Sequence, residues 1–265
     1  MDDKILDISY SKFFDLPQVF NTAETYQLAC DLGYDAIKGD VAVTSDDKLV
    51  MCHDSYFKFD ADGRVFDSVE VESAQGEQKE IVDMTYEECT ALEYNSQAAK
   101  VHLGYYSKVV GLEDLLKICK ENQKIAYITA RELKIKEVTE EIHRLLIKYD
   151  MVEQCIVNSF NFETLEAMRK LDARIFLSQV QGPNVVPAKE AIDHIAKLGK
   201  AAICYFWFKD KILDEDFYNE SKDSIAYAKQ KGLELHFAHA WDKETYELGI
   251  QRGFTGFQCA ASGVI

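Results

Sequence analysis

Lysine, aspartate and histidine fall close together in the stretch IKGDVAVTSDDKLVMCHD, residues 37–54, at a spacing that could do chemistry. Residues two apart on a strand share a face, so Lys38 and Asp40 point the same way. The intervening SDDK reads as a tight turn, and a hairpin built on it folds His53 back over both side chains. An ammonium, a carboxylate and an imidazole brought to the end of one strand are groups that can hold an anion and move a proton. On a later stretch, IAYITAR, Tyr127, Thr129 and Arg131 share a face by the same alternation. His53-Asp54 alone is a weak signal; its register with Asp40 is what gives it a functional reading.

The elements that must position these residues follow from hydrophobic periodicity. Strands are expected at 4–10, 34–43, 124–131, 154–159, 174–180, 201–207, 233–239 and 254–259. Amphipathic helices are expected near 22–32, 111–121, 136–149, 162–171, 187–198, 214–231 and 242–251. In the third of these, Ile135, Val138, Ile142, Leu145 and Leu146 form one apolar face. Helix starts carry capping signals at Asn21 with Glu24, Thr85 with Glu88, and Asp242. Eight strands alternating with helices imply a parallel sheet, closed as a (β/α)8 barrel or open and doubly wound. Residues 44–107 interrupt the rhythm with a hairpin, a DADG turn, a polar stretch VESAQGEQKE expected to be mobile, and a short helix in TYEECTALE.

Composition sets outer bounds. The chain has 265 residues, 47% of them hydrophobic, and only 3 prolines, which suits one large core without long linkers. A net charge of −16 argues against nucleic-acid partners, whose phosphates are bound by clustered Lys and Arg, and against attraction to anionic membrane surfaces. The N-terminal MDDKILDISYSK has neither a basic nor an apolar segment of a signal peptide, and no run approaches the ~18 apolar residues of a membrane span. Seven cysteines, scattered singly, read as reduced thiols, so the expected location is cytoplasmic. No nucleophile elbow, P-loop or dinucleotide fingerprint is present.

The stretch from Asn21 to Asp54 resembles the opening signature of the glycerophosphodiester phosphodiesterase family, which reads E-N-T, I-E-x-D-V, T-x-D-G and H-D. Asn21-Thr22, Asp40-Val41, Thr44, Asp46 and His53-Asp54 match in position and spacing. Further along, Asn158-Ser159-Phe160-Asn161 with ETLEAMRKLD, GLELHFAHAWDKE and GFTGFQCAASG resemble later family segments. The resemblance implies a TIM barrel, selecting closure over the open sheet. It makes the whole chain, 1–265, a single barrel domain with 44–107 as a hairpin-and-helix insertion at the C-terminal rim after the second strand. It also implies a phosphoric diester hydrolase of lipid metabolism that uses two histidines and one Mg²⁺ or Ca²⁺ held by three carboxylates.

Carried over position by position, the histidines fall at Ser11 and His53, and the metal carboxylates at Lys38, Asp40 and Thr129. Asp40 is the only family ligand retained, so no metal cofactor is expected here. Glu132 adjoins the third position, but alternation turns it to the opposite face. Lys12 and Arg131 keep the positive sign of the family's residues, so Lys12, Lys38 and Arg131 are expected to form an anion site around the catalytic candidates His53, Asp40 and Lys38. The expected partner is a small phosphate ester or an inorganic anion. His239, next to the family's aromatic position at Ala238, is expected to face the helices. His102, His143 and His194 read as surface or helix positions. Three functions follow: hydrolysis of glycerophosphodiesters, phosphate-ester binding without turnover, or a scaffold with a vestigial cavity. Whether the chain is an enzyme is left open, and ordinary metal-dependent activity is not expected.

Overall fold

The computed structural model describes residues 5–68, 71, 73–96, 100, 104–130 and 133–265. The chain starts with β1 (Leu6–Ser9), α1 (Ala23–Asp31) and β2 (Ala36–Val43), and then departs into an excursion. The excursion contains β3 (Leu49–Met51), β4 (Tyr56–Phe59), β5 (Glu77–Glu80) and α2 (Tyr86–Thr90). Regular alternation resumes with α3 (Leu112–Glu121), β6 (Ile125–Ala130), α4 (Ile135–Lys148), β7 (Cys155–Ser159), α5 (Phe162–Leu171) and β8 (Phe176–Val180). It ends with α6 (Lys189–Ala196), β9 (Ala201–Phe206), α7 (Lys209–Leu213), α8 (Glu215–Gln230), β10 (Glu234–Ala240), α9 (Lys243–Gln251) and β11 (Gly256–Cys259).

Strands β1, β2 and β6–β11 pair in parallel, and β1 bonds both β11 and β2. The sheet therefore closes on itself, and the fold is a (β/α)8 TIM barrel with a hairpin-and-helix insertion after its second strand. Alternation sorts the strand residues into two layers. Ile8, Ala36, Tyr127 and Ile156 fill the lower barrel interior. Ile37, Ile128, Val157, Leu177, Ile203 and Leu235 face outward against apolar helix faces such as Val138, Ile142, Leu145 and Leu146. The short helix α7 breaks no expected element, but five residues were too few to show a period.

Two local expectations change. The cap of α1 is Thr22, whose side chain accepts the Thr25 N–H, whereas Asn21 sits at φ 56° with its side chain turned inward. Asparagine tolerates that left-handed conformation. Part of the polar stretch expected to be mobile is the strand β5, paired antiparallel with β4 from Tyr56↔Glu80 to Phe59↔Glu77. The excursion has its own small core of Val50, Phe57, Val65, Ile81, Met84 and Tyr94.

The hairpin is the element that positions the site. β3 pairs antiparallel with β2, Val41 opposite Met51 and Val43 opposite Leu49. Its turn is tied by Thr44, whose hydroxyl accepts the Lys48 N–H while its own N–H donates to the Lys48 carbonyl. The Cys52 N–H then donates to the Asp40 carbonyl at 3.0 Å, which returns the chain to the level of Asp40 and leaves His53 at the barrel mouth.

Candidate functional site

At the C-terminal end of β2, Lys38 and Asp40 both face the barrel interior, where they are 4% and 1% exposed. The Lys38 ammonium lies 2.7 Å from Asp40 Oδ1 and donates to Ser11 Oγ at 3.0 Å. Ser11 in turn donates to Asp40 Oδ2 at 2.6 Å, closing a three-membered ring of contacts. Asn21 Nδ2 adds a bond to the same oxygen at 3.3 Å, and Asn21 Oδ1 accepts the Asp40 backbone N–H at 2.9 Å. Tyr26 on α1 donates to that Asn21 oxygen at 3.0 Å. Gly39 makes this possible: a Cβ there would collide with Met51 and the Tyr26 hydroxyl. The Lys38 ammonium also sits over the Tyr10 ring, 4.6 Å from its centroid, a cation–π contact inside a dry wall.

Across the cavity, of about 170 Å³, stand Thr129, Asn158, Phe206, His239 and Gln258. Thr129 Oγ1 accepts from Asn158 Nδ2 at 3.3 Å. Below it the Tyr127 hydroxyl meets Asn158 Oδ1 at 3.1 Å and Ser178 Oγ at 3.0 Å, forming a polar floor. His239 is half-buried and packs edge-on against Tyr10, Phe206 and Trp241. Burial, reinforced by the Lys38 charge, pushes its pKa down to about 3, so the ring is neutral at ordinary pH. Its Nδ1 is buried and has no hydrogen-bond partner among the described residues. Burial pushes the Cys204 thiol up to about 12, which removes it as a thiolate nucleophile at neutral pH.

His53 stands at the mouth with its side chain 36% exposed, its Nδ1 3.2 Å from Asp54 Oδ1 and its ring beside Phe20. Lys38, Asp40 and His53 therefore line one cavity. Lys12 does not join them. Its ammonium bonds Asp67 Oδ2 at 2.8 Å, and Asp67 also accepts the Phe20 N–H, so Lys12 ties the β1–α1 loop to the excursion. That acceptor lies 55 residues away in sequence, and no local pattern pointed to it. Arg131 and Glu132 lie outside the described residues, as does His102.

His239 faces the cavity instead of the helices. The β10–β11 ladder shifts register between Ala238 and Ala240, which breaks the two-residue alternation on which the opposite orientation depends. His143 sits 3.5 Å from Asp172, and His194 stacks on Phe162, both away from the site. Sequence reasoning also missed the inner role of Asn21, for which the E-N-T signature was the available signal. Among the described residues, no group of three or more His, Cys, Asp or Glu side chains is placed to hold a metal ion. Among them too, no helix is long and apolar enough to cross a membrane.

Comparison with known proteins matches this architecture. A candidate glycerophosphoryl diester phosphodiesterase from Silicibacter pomeroyi DSS-3 superposes with a TM-score of 0.77 at 16% identity, over 99% of this chain and 92% of that one. An Oleispira antarctica phosphodiesterase, solved with its product sn-glycerol-3-phosphate, gives 0.74 at 14% identity over 97% and 94%. A glycerophosphodiester phosphodiesterase from Parabacteroides distasonis gives 0.71 at 15% over 97% and 94%. At such identities these likenesses speak to the fold alone. No curated protein matches the sequence. The profile of the glycerophosphoryl diester phosphodiesterase family matches residues 15–247, most of the chain, and on that ground the chain belongs to this family.

Proposed function

We propose that this protein binds a glycerophosphodiester or related phosphate ester at the barrel mouth, and that Lys38 holds the place of the divalent ion its resemblance implies. The observation that carries this reading is the Lys38 ammonium, 5% exposed and 2.7 Å from the Asp40 carboxylate. A buried cation at that point can meet the negative charge of a phosphate, with His53 at the rim as the donor to its ester oxygen. The Oleispira relative, whose bound product is a glycerol phosphate, supports the class of ligand.

The described residues of the cavity do not suit a dication. One carboxylate, already sharing its oxygens with Lys38, Ser11 and Asn21, is a poor match for a hard ion that wants several oxygen ligands. A dication ~4 Å from the ammonium would meet a repulsion of about 8 kcal/mol at an effective dielectric near 20, twice the unit-pair value. Hydrolysis by a divalent-dependent route is accordingly not part of the proposal. In the absence of that route, His53 is the group that would protonate a leaving alcohol.

Two measurements test this. Incubation with glycerophosphocholine and Mg²⁺ or Ca²⁺ should give no chelator-sensitive turnover; turnover abolished by a chelator would overturn the assignment of Lys38. Thermal denaturation with sn-glycerol-3-phosphate should show stabilisation, about 2.7 kcal/mol when the ligand stands at a hundred times its Kd. No shift at saturating concentrations would leave the barrel as a scaffold without this ligand.

A further inference from the structure

A second hollow, of about 430 Å³, opens beside the cavity at the barrel mouth and shares Thr129 and Phe160 with it. Its walls are Val41, Val43, Val82, Leu133 and Val138, with Phe160 at the junction. The polar side chains among its described residues are Asp54 and Ser55, which follow His53 in the chain, and Thr129, which the two hollows share. At the lip, Leu133 is 50% and Phe160 46% exposed. Large apolar side chains left in water beside a site are where an apolar partner gains most from desolvation.

We infer that this hollow is the subsite for the substituent of the bound ester, and that the ligand is a single-chain amphiphile whose phosphate enters the cavity and whose apolar chain lies along Val41, Val43, Leu133 and Val138. The inference rests on the proposed phosphate site, which the hollow adjoins at Thr129 and Phe160. Charge favours an apolar substituent over a second anionic group, because the one charged described residue of the lining is the carboxylate of Asp54. A polyhydroxylated substituent would leave its hydroxyls facing valine and leucine without partners, at a cost the chain of an amphiphile does not incur.

Isothermal calorimetry on the full chain separates the two parts of the site. The probes are sn-glycerol-3-phosphate, the butyl, hexyl and octyl phosphate monoesters below their micellar concentrations, and octanol. Each added methylene should tighten alkyl phosphate binding about fourfold until the hollow is filled. The Leu133→Asn, Phe160→Asn double variant should flatten that dependence; both positions are exposed, so folding tolerates the change, and circular dichroism checks it. If octyl phosphate binds no tighter than sn-glycerol-3-phosphate, the apolar subsite is overturned while the phosphate site stands. If octanol binds as tightly as octyl phosphate, the hollow stands and the phosphate site is overturned. If neither alkyl phosphates nor glycerol phosphate bind, both are overturned.

Discussion

The two walls of the cavity solve the problem of buried polarity in opposite ways. On the β2 wall, Lys38, Asp40, Ser11, Asn21 and Tyr26 are linked to one another by bonds between 2.6 and 3.3 Å. On the β10 wall, His239 is packed among Tyr10, Phe206 and Trp241, kept neutral, with a buried ring nitrogen that no described residue meets. The first wall ties its polar groups to one another while the Lys38 ammonium still lines the cavity. The second has kept one in reserve, and an unmet buried nitrogen beside a cavity is a position where a ligand atom gains a bond without displacing another. Substitutions on the first wall should therefore be read first in stability, with Lys38 read in anion binding too, and those on the second in protonation and binding.

The largest effect is expected at Asp40. Asp40→Ala removes the carboxylate that lies 2.7 Å from the buried Lys38 ammonium, and strips Ser11 and Asn21 of that acceptor. Breaking a buried pair from one side costs about 3–5 kcal/mol, whereas replacing both members by apolar groups of similar volume is often neutral. Urea unfolding should show Asp40→Ala far below the parent, and the Lys38→Met, Asp40→Leu double variant recovering much of the loss. A double variant no more stable than Asp40→Ala would mean that the unpaired Lys38 charge carries no penalty, and the ion pair would not be what ties this wall together.

Next in size is an acid slope owed to His239. Its folded pKa, about 3, lies below the ordinary 6.5, so the unfolded chain takes up a proton that the folded chain refuses. The associated stability is complete above pH 6.5 and is lost as pH falls towards 3, at roughly 1.4 kcal/mol per pH unit between the two. His239→Phe should make the decline in stability between pH 7 and pH 5 shallower by about that slope over the part below 6.5. Parallel curves for parent and variant, from urea midpoints at pH 7, 6 and 5, would place the ring in contact with water and erase the contrast between the walls.

The same contrast explains what was legible in the sequence. The eight strands were readable because each is a short apolar run whose alternation the barrel enforces on both layers, as in Ile37, Ile128 and Val157 outward against Lys38, Tyr127 and Asn158 inward. The facing of Lys38, Asp40 and Thr129 followed from the same period. His239 escaped it because one register shift inverts every side chain beyond the irregularity, and no residue type announces that shift. Lys12 escaped because its acceptor, Asp67, comes from the excursion, and ion pairs over such separations are set by tertiary packing. Asn21 was read as a helix cap because cap chemistry and inward hydrogen bonding call on the same side chain; the positive φ that decides between them is invisible in the sequence.

The smallest effect on stability, and the sharpest division between the two kinds of role, is expected at His53. Its side chain is 36% exposed, and its Nδ1 lies 3.2 Å from the adjacent Asp54. An exposed pair of this kind is screened by water and contributes ~0–1 kcal/mol, so His53→Gln should move the unfolding free energy by no more than about 0.5 kcal/mol. Glutamine keeps a donor and an acceptor but cannot carry the proton, so the variant separates holding a ligand from transferring a proton to it. Any slow, chelator-insensitive hydrolysis of a phosphodiester should fall by about 10²–10⁴-fold, the usual worth of a general acid, while the thermal shift given by sn-glycerol-3-phosphate is largely kept. A loss of several kcal/mol in His53→Gln would instead assign this residue to the fold, and the mouth of the barrel would then belong with the closed wall of Asp40.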